Sequence, residues 1–141
     1  MYQQEITSAQ QALTHLLLHC SYKDGESDEK EMHTILNIVS QLYGTSDVSL
    51  QQEKAIYLSY ASRIKDEQHF LNFLIQLIKP AGRLALLWYC AQVTASDKTI
   101  AFSEELFISK VASMLHIHTD ECRTIHMLAL QIHAVEKSQM F

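Results

Sequence analysis

Along almost the whole chain, apolar residues recur every three or four positions, the spacing that lines one face of a helix. Ile6, Ala9, Leu13, Leu16, Leu17 and Cys20 predict a first helix that ends near Tyr22. Asp28 and Glu31 have the spacing of an Asp variant of the capping box, and Met32, Ile35, Leu36, Val39 and Leu42 give the next helix an apolar face up to Gly44. Ser49 with Gln52 predicts another capped start, for a third helix with Ile56, Tyr57, Tyr60 and Ile64 turned inward. Asp66 is placed to cap a fourth, whose face is Phe70, Phe73, Leu74, Leu77 and Ile78. Pro80 ends it, since proline cannot continue the hydrogen-bond ladder and restricts Lys79 before it.

Leu84, Leu87, Trp88 and Ala91 predict a fifth helix, and Phe107, Ile108, Val111, Met114 and Leu115 a sixth opened by Ser103. Thr119 is the expected cap of a seventh, with Asp120 and Glu121 at its positive end and Ile125, Leu128, Ala129 and Ile132 on its core face. The tail from Glu136 to Phe141 is expected to fray. No strand is predicted, and short connections favour antiparallel neighbours. The expected fold is therefore all-α, a bundle of about seven helices forming one domain over residues 1–141.

Part of this pattern occurs twice. Asp24/Asp97, Glu31/Glu104, Ile35/Ile108, Ser40/Ser113, Leu42/Leu115 and Asp47/Asp120 all share one offset of 73 (97 − 24). The expectation is an internal duplication of a helix–Asp loop–helix hairpin, the first copy at about 6–47 and the second at about 81–120. In the first copy Asp24, Glu26, Asp28, Glu29 and Glu31 place five carboxylates within eight residues, which attracts hard cations. The spacing is not that of an EF-hand, because Gly25 directly follows Asp24. Asp28, Glu29 and Glu31 also suit the unpaired amides and dipole of a helix start without any metal. Asp24 and Asp97 precede the helices and neither is the predicted cap, so ligand and turn-former stand as alternatives for both.

The run Leu16-Leu17-Leu18-His19-Cys20-Ser21-Tyr22-Lys23-Asp24-Gly25-Glu26-Ser27-Asp28-Glu29-Lys30-Glu31 resembles the TerB-like family, named for bacterial tellurite-resistance proteins. The family's hallmark is an apolar helix, Asp-Gly, a short spacer and a Glu opening the next helix, repeated in the second half. Here the second copy is Ala95-Ser96-Asp97-Lys98-Thr99-Ile100-Ala101-Phe102-Ser103-Glu104, with Lys98 where the family usually has Gly. The resemblance spans roughly Ile6 to Val135. It implies a non-enzymatic cytoplasmic helical module of the tellurite-resistance or stress-response kind, with a protein partner. Asp24, Glu31, Asp97 and Glu104 occupy equivalent places in the two copies, and they are the expected metal ligands for a divalent cation if the hairpins pack about a twofold axis. The alternative that the resemblance leaves open is an interaction scaffold without metal, in which the acids serve only as helix caps.

Composition narrows the partners. Net charge is −5 and the basic residues are scattered, which argues against nucleic acid and against capture of an anion by the acidic loops. No apolar run is long enough to span a bilayer, and Met1 to Glu5 lack the pattern of a secretory signal, so neither membrane insertion nor secretion is expected. Three scattered cysteines fit a reducing cytoplasm. No phosphate loop, nucleophile elbow or His-Glu-x-x-His occurs, so an enzyme is not expected. Among the eight histidines, His15 and His19 lie one turn apart on the flank away from Leu13, Leu16 and Leu17, where solvation is the expectation. Cys122 with His126 and His116 with His118 form further pairs, but three or four convergent ligands are not spaced for, and zinc is not expected.

Overall fold

The structure, a computed structural model, describes residues 2–23, 29–79, 82–95 and 102–138. A short helix, α1 (Tyr2–Glu5), precedes the first periodic segment and buries Tyr2 against Tyr60, Phe70 and Phe73. Four residues were too few to register as a period. Ile6, expected inside the first long helix, lies in the connection and is buried. Ser8 is the N-cap of α2 (Ala9–Ser21), its hydroxyl accepting from the Gln11 amide at 3.1 Å.

The second apolar period becomes α3 (Glu29–Tyr43), which stops at Gly44, where φ is +70°. Next comes α4 (Asp47–Tyr60), capped by Ser46 rather than Ser49: the Ser46 hydroxyl accepts from the Ser49 amide at 3.2 Å. The helix thus starts one turn before the predicted capping box, because Ser46 satisfies the amide of Ser49 and so places that residue inside the first turn. A 3-10 turn, Ala61–Arg63, leads to α5 (Glu67–Ile78), whose cap is the predicted Asp66, accepting from the His69 amide at 3.1 Å. Pro80 lies outside the described residues, and α5 gives way at Lys79, which adopts a left-handed conformation.

In the second half are α6 (Arg83–Thr94), α7 (Phe102–Met114) and α8 (Thr119–Ser138). Ser103, the expected cap of the sixth predicted helix, falls inside α7. At the end of α7, His116 takes a positive φ of 59° and the Ile117 amide reaches back to the Ala112 carbonyl at 2.8 Å, a six-to-one closure of the helix end. α8 includes Glu136 to Ser138 of the expected frayed tail, while 139–141 lie outside the described residues. All secondary structure among the described residues is helical, so the all-α class holds.

The packing is organised around α2, which is in contact with α3, α4, α5 and α6. Every residue from Ala12 to Ser21 is buried. A helix enclosed by four neighbours has no solvent side, and burial all round replaces the single apolar stripe assumed for it. α6, α7 and α8 pack on one another, with Ala91, Ala95 and Ala129 in close contact. Leu42, Leu84 and Leu128, assigned inward by periodicity, are instead exposed, each at the edge of its helix's apolar arc.

Candidate functional site

Enclosing α2 forces two histidines into the core. His15 and His19, expected to be solvated, are 0% and 8% exposed. A buried imidazole requires partners for both ring nitrogens, and here each ring meets one tyrosine and one glutamate. His15 Nδ1 lies 2.5 Å from the Tyr60 hydroxyl and its Nε2 3.3 Å from Glu53 Oε1. The two rings are also stacked, 5.6 Å between centroids and 7° apart. One turn on, His19 Nδ1 lies 2.8 Å from the Tyr57 hydroxyl and its Nε2 2.7 Å from Glu67 Oε2. Tyr57 and Tyr60 reach α2 from successive turns of one face of α4, which is why the ladder has two matching rungs.

Donor and acceptor roles follow from the chemistry. A carboxylate only accepts, so each Nε2–H donates to its glutamate, leaving Nδ1 as an acceptor for the tyrosine O–H. Both imidazoles are thereby satisfied in the neutral form. Burial, the largest influence, lowers the pKa of each histidine, opposed by Glu53 at His15 and by Glu67 at His19. Burial likewise raises the phenols of Tyr57 and Tyr60 far above the usual tyrosine range, so both stay protonated as donors.

The rungs differ in surrounding charge. Glu53 also accepts from Gln11 Nε2 at 3.1 Å, and no lysine pairs with it among the described contacts. Glu67, in the first turn of α5, is a junction: it accepts from His19, from Lys23 just past α2, and from Lys110 of α7 at 3.0 Å. The His19 hydrogen bond first, then those of the two lysines, hold the Glu67 carboxyl far below the usual range against the opposing effect of burial. Lys23 Nζ also stands 5.0 Å from the centroid of Phe107, adding a cation–π contact with α7. One carboxylate therefore joins three helices.

Of the four sequence-derived ligands, Asp24, Asp97 and the side chain of Glu104 lie outside the described residues. Glu31 is described, in the first turn of α3, and its exposure is 1%. The helices leading into the two acidic segments meet near their ends: the Cys20 thiol in the last turn of α2 donates to the Cys90 carbonyl of α6 at 3.4 Å. Among the described residues no group of three or more His, Cys, Asp or Glu side chains converges as a metal site. An open groove between α3 and α4 carries Glu29, His33, Asp47 and Lys54, apart from the histidine ladder.

Periodicity marks Tyr57 and Tyr60 as core, and both are buried, but it does not pair their hydroxyls with the histidines. The available signal was the matched spacing of two polar-tipped pairs, His15/His19 and Tyr57/Tyr60, since buried tyrosine hydroxyls need partners. Glu53, Glu67 and Lys110 carried no such signal, being ordinary charged residues on amphipathic helices.

The family model for tellurite resistance protein TerB matches residues 10–127. No match was found among curated proteins or among solved structures.

Proposed function

The chain belongs to the TerB family, and from that premise we propose that this tellurite-resistance-type helical module is non-enzymatic, acts in the cytoplasmic stress response and binds a divalent cation through Asp24, Glu31, Asp97 and Glu104. The observation that supports the reading best is the side-by-side ending of α2 and α6, fastened by the Cys20–Cys90 bond, directly before the two acidic segments. The starts of α3 at 29 and α7 at 102 differ by the repeat offset of 73 (102 − 29), and those of α2 at 9 and α6 at 83 by 74 (83 − 9). Lys98 adds a positive charge beside Asp97, so the first copy dominates binding.

Calorimetric titration of the full chain with calcium, magnesium, manganese and zinc tests the reading. Millimolar or tighter binding of one cation is expected, with Asp24→Asn weakening it at least tenfold, because the substitution keeps shape and acceptor capacity while removing charge. If none binds, or if Asp24→Asn binds as well as the wild type, the metal reading fails. The scaffold reading then takes its place. It has its own support in the exposed Met127 and Leu128 beside Arg123 on the outer surface of α8, apolar area available to a protein partner.

A further inference from the structure

The two rungs on α2 are the chief polar bonds between that helix and the α4–α5 pair, and both depend on imidazole staying neutral. We propose that His15 and His19 form an acid-released latch: neutral imidazoles fasten α4 and α5 to α2, and a fall in pH below the ordinary histidine range releases that pair of helices. The latch is distinct from the acidic segments and does not require a cation.

Geometry carries the inference. At His15 the facing groups are Tyr57, Tyr60 and Glu53 from α4, with Glu5 of α1 contributing charge. At His19 they are Tyr57 from α4, Glu67 from α5, Lys23 at the end of α2 and Lys110 from α7, with Phe70 and Phe107 closing the ring faces. Protonation at Nδ1 converts an acceptor into a donor pointed at a tyrosine O–H that is itself donating. The phenol must then turn its proton away, and its deep burial leaves it few alternatives. At His19 the new charge also faces the ammonium groups of Lys23 and Lys110 across a single carboxylate.

Release is local because of how the helices pack. The hydrogen-bond partners of both imidazoles all belong to α4 and α5, within the main apolar core, whereas α6, α7 and α8 pack on one another and supply none of those bonds. The direction follows from burial: the closed form keeps histidine pKa values lowered, so the open form binds more protons below the ordinary value of 6.5 and opening grows as pH falls. Glu67, whose carboxyl is held far below its usual range, stays ionised through this window and does not contribute to it.

Native-state hydrogen exchange of the full chain, corrected for intrinsic exchange at each pH, reads the latch directly. Between pH 7.5 and 5.0 the opening equilibrium of α4 and α5 amides is expected to rise by about 30-fold for each histidine, about 1,000-fold for both. Amides of α6 to α8 should change less than tenfold. His15→Gln and His19→Gln, which keep hydrogen-bonding capacity but cannot titrate, should each reduce the rise to about 30-fold. His69→Gln, removing an exposed histidine bonded to Tyr2, should leave it intact. A rise under tenfold in α4 and α5, or an equal rise in all helices, overturns the proposal. So does an unchanged rise in either Gln variant. Should those variants not fold, the wild-type ring resonances decide: both imidazoles must keep neutral shifts until the α4–α5 amides open, and titration in the closed protein refutes the latch.

Discussion

Tyr57 and Tyr60 differ from the phenylalanines beside them by one oxygen each, and that oxygen supplies the donor for a buried imidazole nitrogen. Replacing either with Phe keeps the ring packing and removes the donor. The Nδ1 acceptor is then buried without its partner, a loss of about 1–3 kcal/mol for each substitution. Urea unfolding at pH 7.5 measures it, and a change under about 0.5 kcal/mol for both would mean that these hydrogen bonds contribute nothing net. Stacking of His15 on Tyr60 survives the substitution, so Tyr60→Phe isolates the hydroxyl rather than the aromatic contact.

At the scale of an element, α2 shows what sets the cost of a truncation. Leu17 is fully buried within it and Leu115, just past α7, is buried too, whereas Leu42 on α3 is exposed although the same periodicity assigned it inward. Leu17→Ala and Leu115→Ala are each expected to destabilise by about 2–5 kcal/mol, from lost apolar transfer and the cavity left behind. Leu42→Ala should stay within about 0.5 kcal/mol. Denaturant midpoints of the three variants provide the check, and equal losses would invalidate the burial pattern of the bundle.

Across the whole molecule, Glu67 connects the end of α2, the start of α5 and the middle of α7. Glu67→Gln leaves a neutral acceptor facing two lysines, and a loss of about 1.5–3 kcal/mol at neutral pH is expected for such charge-assisted bonds. Its acid dependence has a definite sign. The folded carboxyl sits below its ordinary value of 4.5, so its contribution is complete above about that pH and is lost as pH falls beneath it. The variant should therefore show a flatter decline below pH 4.5 than the wild type, while retaining the histidine-dependent change at higher pH. A parallel decline in both proteins would remove Glu67 from the account of acid stability.

Period and capping chemistry were enough to place the long helices, because both act between residues a few positions apart: Asp66 capped where expected, and Gly44 stopped α3. The run Leu16 to Glu31, with its second copy from Ala95 to Glu104, carried the resemblance to the family whose model matches residues 10–127. What the chain alone did not disclose was how many neighbours each helix acquires. A helical wheel orders residues around one axis but does not say whether the polar side meets water or another helix. His15 and His19 looked like a solvated flank, and four helices closed over them. Their partners, from Glu53 to Glu67, lie 38 to 48 residues away, beyond the reach of any local pattern. Local sequence determined the helices, and tertiary packing decided which polar groups had to find each other, because only burial makes an unmet hydrogen bond costly.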